Sequence, residues 1–130
     1  MLSSAHRLRK KKDIERVFKL GRSFNSQLFK IKICENGLKT TRFCFIVPAA
    51  TVKKAAGRNY LKRRLREATR FFLPDIKNGY DVIVYPKSIP ANPKNIEYQA
   101  ISENLKNIFL KSGLMSKKNN ESVWSDYLSF

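Results

Sequence analysis

Apolar and polar positions along the chain repeat with two different periods, and the points where the period changes mark the elements. Over residues 9–20, Ile14, Val17, Phe18 and Leu20 recur between charges and Gly21 supplies a stop, which predicts a short amphipathic helix with a strongly basic lead-in. Over residues 27–34 the period falls to two. Phe29, Ile31 and Ile33 take one face of a strand, and Leu28, Lys30, Lys32 and Cys34 take the other. The turn-like ENGLKTT leads to a second strand over residues 42–48, with Phe43, Phe45 and Val47 on one side and Cys44 and Ile46 on the other. Residues 49–54 fit either a short third strand or a loop. A long helix is predicted over residues 55–73, stopped before Pro74.

Asn78 and Gly79 are a turn signal, and YDVIVYPK reads as a buried strand. After the proline-bearing loop SIPANPKN, residues 96–113 place Tyr98, Ile101, Leu105, Ile108 and Phe109 at helical spacing and end at Gly113. The order helix, strand, strand, possible strand, helix, strand, helix predicts an α+β fold with helices packed on one small sheet. The domain is expected to occupy residues 1–114. Residues 115–130 are polar at first and then bring Val123, Trp124, Tyr127, Leu128 and Phe130; they are expected to form a mobile tail whose aromatic end docks on the domain or on a partner.

A length of 130 residues suits one domain, and an apolar fraction of 42% with nine Phe and five Tyr suffices for a core. Charge changes the picture more. Twenty-seven Lys and Arg against ten Asp and Glu leave a net charge of +17, a self-repulsion that a polyanion would screen. Nucleic acid is the expected partner. A membrane is not, because there is no apolar run of about 18 residues, and the basic N-terminal segment enters a helix without a signal-peptide stretch. The expected location is the cytoplasm, and no small-molecule substrate is expected. Cys34 and Cys44, on what read as neighbouring strands, are expected to be buried free thiols, since a chain with one His has no zinc-site spacing. His6 falls in what reads as a flexible basic lead-in, with no role assigned.

Projected at about 100° per residue, the long helix gathers Gly57, Leu61, Leu65, Ala68 and Phe72 on an apolar face and Asn59, Lys62, Arg63, Arg66 and Arg70 on a cationic one. Arg64 sits apart, beside Tyr60 and Phe71. Like charges on one helix face repel by a few tenths of a kcal/mol per pair, and one acid, Glu67, is all the segment offers in balance. A phosphate backbone offsets that repulsion through charge-assisted hydrogen bonds and counterion release. Asn59 adds a neutral donor and acceptor for a sugar hydroxyl or base edge.

The segment AAGRNYLKRRLREATRFF resembles the signature helix of the bacterial ribonuclease P protein family, whose pattern is Arg-Asn-Arg, one residue, Lys-Arg, two residues, Arg. Arg58, Asn59, Lys62, Arg63 and Arg66 match it, and Glu67 and Ala68 continue its ending. HRLRKKKDIERVFKLGRSF is similar to the family's opening segment and NGYDVIVYPK to its last strand, so the resemblance covers about residues 6–114. There are departures. Tyr60 replaces the third signature Arg, Ile14 replaces an aromatic residue of the first helix, and Ala49, Ala50 and Thr51 replace Ser-Lys-Lys, with Lys53 and Lys54 supplying charge a little later.

The resemblance implies an α/β sandwich with a small, mostly antiparallel sheet and a left-handed βαβ crossover (ribosomal protein S5 domain 2-like). It implies a protein subunit with no catalytic residue and no metal ligand of its own, since a catalytic RNA using Mg2+ cuts the 5′ leader from precursor transfer RNA. It implies RNA contacts at Lys53, Lys54, Arg58, Asn59, Lys62, Arg63, Arg66 and Arg70. A leader groove between the first helix and the sheet would hold Ile14, Phe18, Lys30 and Lys32. Its partners are then ribonuclease P RNA and precursor transfer RNA. The rival reading of the same charge is a ribosomal or other structural RNA-binding protein, and, further off, a DNA-binding domain that sets the basic helix in a major groove.

Overall fold

The computed structural model describes residues 2–116. Its elements are α1 (Lys11–Leu20), β1 (Arg22–Asn25), β2 (Phe29–Glu35), β3 (Arg42–Phe45), α2 (Ala55–Phe72), β4 (Tyr80–Pro86) and α3 (Tyr98–Lys111), with short 3-10 turns at Ser4–His6, Leu73–Asp75 and Pro93–Asn95. The sheet order is β1-β2-β4-β3. β1 with β2 and β2 with β4 are antiparallel, while β3 and β4 are parallel and joined through α2. A parallel pair cannot be closed by a tight turn, so the crossover carries the long basic helix as a consequence of the topology.

Strand alternation sorts the layers. Phe29, Ile31, Ile33, Phe43, Phe45, Val82 and Val84 point inward and meet Leu61, Leu65, Ala68 and Phe72 of α2 and Ile101, Leu105, Ile108 and Phe109 of α3 in the main core. The opposite face carries α1. Val17, fully buried, joins Leu8 and Ile83 in a second cluster flanked by Ile14, Cys34, Cys44, Ile46 and Tyr85. The helices therefore cover both faces of the sheet, as the implied sandwich requires.

Several expectations change. Residues 22–25 form an edge strand that the sequence reading passed over, because RSFN is polar on its exposed positions and has a single half-buried aromatic, Phe24. Residues 49–54 form a turn with Val52 buried beneath it, not a strand. α1 begins at Lys11, two residues later than expected, and Leu20 is exposed on it. Cys34 and Cys44 are free but only half-buried, and β4 lies between their strands; sequence order made β2 and β3 look adjacent because the strand inserted between them comes later in the chain.

The basic lead-in is not loose. The Leu8 amide donates to Phe43 O at 2.8 Å, Arg7 bridges Phe43 in parallel fashion, and Leu2 and Leu8 are buried. His6 Nδ1 bonds to Thr41 O at 2.9 Å, and Arg7 Nε donates to Leu2 O at 2.9 Å. Residues 2–8 thus form a strap along the outer edge of β3. At the other end Met115 is buried and bridges Ile76, so ordered packing runs one residue past the expected boundary. The rest of the expected tail, residues 117–130 with Trp124 and Phe130, lies outside the described residues.

Candidate nucleic-acid interface

α2 is positioned by its apolar stripe and by its first turn. Leu61, Leu65 and Ala68 are fully buried, which turns the opposite stripe outward. Gly57 lets that first turn settle onto the residue 49–54 loop, since a Cβ there would stand 2.9 Å from a Val52 methyl. Arg58 Nη1 donates to Val52 O at 2.9 Å and Lys53 O at 2.7 Å, so this signature arginine spends part of its guanidinium on holding the loop. Lys53 and Lys54 stand exposed beside it.

The remaining cations form the expected row. Lys62 and Arg66 are half-buried, and Asn59, Arg63 and Arg70 are exposed. Among the described residues the side chains of Lys62, Arg63, Arg66 and Arg70 make no hydrogen bond or ion pair with any acid. Glu67 is committed elsewhere. It accepts from Arg64 Nη1 at 2.8 Å, and the Arg64 guanidinium lies 5.2 Å from the Tyr60 ring centre. Tyr60, in the place of a signature arginine, serves as a stacking base for Arg64 and leaves the row itself unneutralised. Burial pushes the Cys44 thiol above its ordinary pKa, against the opposing pull of Lys62 and Arg66.

The second surface lies on the outer face, where α1 crosses β2 and β4. Phe18 is 42% exposed, too open for a core residue. Lys32 Nζ donates to Phe18 O at 3.1 Å and stands 5.9 Å from the Phe18 ring centre. Tyr85 of β4 comes within 6.3 Å of the same ring, and Lys30 is its cross-strand partner. Phe18, Tyr85, Lys30 and Lys32 thus set two rings and two ammonium groups on one outward face beside α1, a combination suited to unpaired nucleotides. Ile14 is half-buried, packed against the apolar cluster beneath α1. Tyr85 escaped the sequence reading, because an apolar run such as YDVIVYPK reads as buried on both faces. The one polar ring at an outward position of that run was the available signal.

A buried ion cluster fixes α1 over the sheet. The fully buried Asp81 carboxylate accepts from Arg42 Nε at 2.8 Å and Nη2 at 2.7 Å, from Arg16 Nη2 at 3.1 Å and from Asn36 Nδ2 at 3.0 Å. Asp13 of α1 adds a contact of 3.5 Å to Arg42. Burial pushes the Asp81 carboxyl up, but the hydrogen bonds from Arg42 and Asn36 with the charge of Arg42 outweigh it and leave it below the usual carboxylate range.

No group of three His, Cys, Asp or Glu among the described residues is placed to hold a metal ion, and no described helix is long and apolar enough to cross a membrane. Comparison with known proteins points one way. The Ribonuclease P family model matches residues 2–113. The ribonuclease P protein component of Pseudanabaena sp. is 30% identical over 116 residues, covering 88% of this chain and 97% of that relative. The component from Thermotoga maritima is 32% identical over 103 residues, covering 78% and 87%. Among solved structures, the Thermotoga maritima RNase P protein aligns with a TM-score of 0.70 at 30% identity over 78% of this chain and 92% of that one. The Staphylococcus aureus RNase P protein shares the fold, with a TM-score of 0.74 at 23% identity over 85% of this chain and 98% of that one.

Proposed function

The chain belongs to the ribonuclease P protein family, and from that premise we propose that it binds the catalytic RNA subunit through the α2 row and the 5′ leader of precursor transfer RNA through the face beside α1, in the cytoplasm. The protein is then part of a ribonucleoprotein endonuclease whose chemistry, with Mg2+, resides in the RNA. The observation that carries the division is the contrast between the two surfaces. The α2 row, Asn59, Lys62, Arg63, Arg66 and Arg70 with Lys53, Lys54 and the remaining donors of Arg58, is cationic without rings of its own in the row. The face beside α1 combines Phe18 and Tyr85 with Lys30 and Lys32. Phosphates of a folded RNA suit the first surface, and stacking of unpaired bases suits the second.

The deciding experiment is reconstitution. The protein alone should cleave nothing, and the protein with ribonuclease P RNA should cut precursor transfer RNA at its mature 5′ end at magnesium concentrations where the RNA alone is slow. Robust cleavage by RNA-free protein, or no gain over RNA alone, would refute the assignment. Within the same assay Phe18→Ala should spare affinity for the RNA subunit and weaken leader-bearing precursor by about 1–3 kcal/mol, the range of one base stack. Equal weakening toward mature transfer RNA would show that this face does not read the leader.

A further inference from the structure

We infer that the C-terminal segment beyond Ser116 turns back on its own domain and seats the Trp124 ring on Phe71, in the groove between the last turn of α2 and the end of α3. Phe71 is 74% exposed, the most open of the large apolar side chains among the described residues. Its ring meets the Phe72 ring edge-on with centres 5.4 Å apart, and Phe72 in turn meets Phe109 of the core at 6.2 Å. Phe71 is therefore steadied from one side while most of its surface stays open. It stands on the side of α2 that carries Tyr60 and Arg64, away from the cationic row, so the proposed RNA contact gives no account of it.

A notch of about 140 Å³ opens beside Phe71, with half-buried Leu110 on its wall and the buried Phe72 and Met115 as its lining. The apolar surface within reach of a partner is the Phe71 ring and the outer part of Leu110, so a second ring would lie on Phe71 and not inside the notch. Lys106 and Asp75 stand exposed on the rim, and neither makes a side-chain hydrogen bond or ion pair among the described residues. Lys106 and Leu110 are one turn apart on the same face of α3.

Ser116 lines the same groove, and residues 117–130 continue from it. Trp124 follows eight residues later, a stretch of at most about 29 Å, ample for a return to Phe71. The composition of the segment complements the rim. In a chain of net charge +17, residues 119–130 contain Glu121 and Asp126 and no Lys or Arg, and Lys117 and Lys118 precede them; the acids suit Lys106 and the lysines suit Asp75. One ring on another is a weak contact between separate molecules. A short tether changes that by supplying an effective concentration on the order of millimolar, which selects the chain's own segment over a second copy in dilute solution.

Trp124 is the sole tryptophan of the chain, so its fluorescence in the full-length protein, without RNA, reads the contact directly. It should emit to the blue of its position in urea-denatured protein. Acrylamide should quench it about twofold or more weakly than in full-length Phe71→Ser, the change expected when the docked form is the majority species. Trp124 quenched in the folded protein as freely as in urea would overturn the inference. So would quenching that Phe71→Ser leaves unchanged, which would put the ring elsewhere, and shielding that appears only as protein concentration rises, which would give the face to a second copy. Circular dichroism establishes whether Phe71→Ser is folded. Should it not be, the natural sequence with a benzophenone amino acid in place of Trp124 decides: irradiation should join it, within one molecule, to the tryptic peptide of residues 71–77, and absence of that cross-link would refute the site.

Discussion

Asp81 lies fully buried and still carries its charge, because four hydrogen bonds from Arg42, Arg16 and Asn36 surround it. A carboxyl whose folded pKa lies below its unfolded value adds stability that is fully present above the unfolded pKa, about 3.9, and is lost as pH falls through the folded value. The depressed Asp81 therefore predicts that stability falls off on the acid side of about pH 4. Asp81→Asn keeps the shape, removes the charge, and leaves Arg42 and Arg16 facing each other across a neutral amide. It should cost about 3–5 kcal/mol, the usual result of breaking a buried pair from one side, and flatten the acid limb of the stability profile. Chemical denaturation of wild type and Asp81→Asn between about pH 2.5 and 7 measures both effects; an unaltered acid limb would show that Asp81 is not the group responsible. Arg16 and Asp13 belong to α1, so the same cluster governs how firmly Phe18 is presented over Tyr85.

At the scale of elements, α2 was the most legible part of the chain, because a helix that separates Leu61 and Leu65 from Lys62 and Arg66 shows both faces through a single period. The prediction that follows is thermodynamic. Lys62→Ala, Arg63→Ala and Arg66→Ala should each weaken binding of the RNA subunit and lower the log-log salt slope by somewhat less than about one, at roughly 0.7–0.9 per phosphate contact; titrations over a range of salt read the slope, and an unchanged slope in all three would remove α2 from the RNA contact. The strands were legible by alternation and their partners were not. Nothing local in RSFN marks an edge strand, and nothing in residues 42–48 announces that their neighbour is residues 80–86. The strap escaped for a related reason: Leu2 stands beside two serines and Leu8 between two arginines, with no period to mark them, and each finds its apolar cluster only through the pairing of the strap with β3. Long-range pairing also hid Tyr85, whose outward direction depends on which face of the sheet α1 covers.

For the molecule as a whole, the packing of residues 2–116 is predicted to suffice for the fold, and a chain ending at Ser116 should keep a cooperative thermal melt. One ending at residue 114 should be less stable, since it gives up the buried Met115 and its bridge to Ile76. Circular dichroism on a set of such truncations tests this, and loss of the melt on ending at Ser116 would place part of residues 117–130 in the core. Carried further back, the set reaches a sharper boundary. The sheet order β1-β2-β4-β3 puts in the middle the strand that is made last. During synthesis β2 and β3 therefore wait without a shared neighbour, and Arg16, Asn36 and Arg42 wait without their carboxylate. Chains ending before residue 80 should show no cooperative melt at all, however much helix they contain. As the nascent chain lengthens, Tyr80–Pro86 is then the closing piece, and closure of the sheet should come late and abruptly, at the cost in rate that non-local pairing imposes.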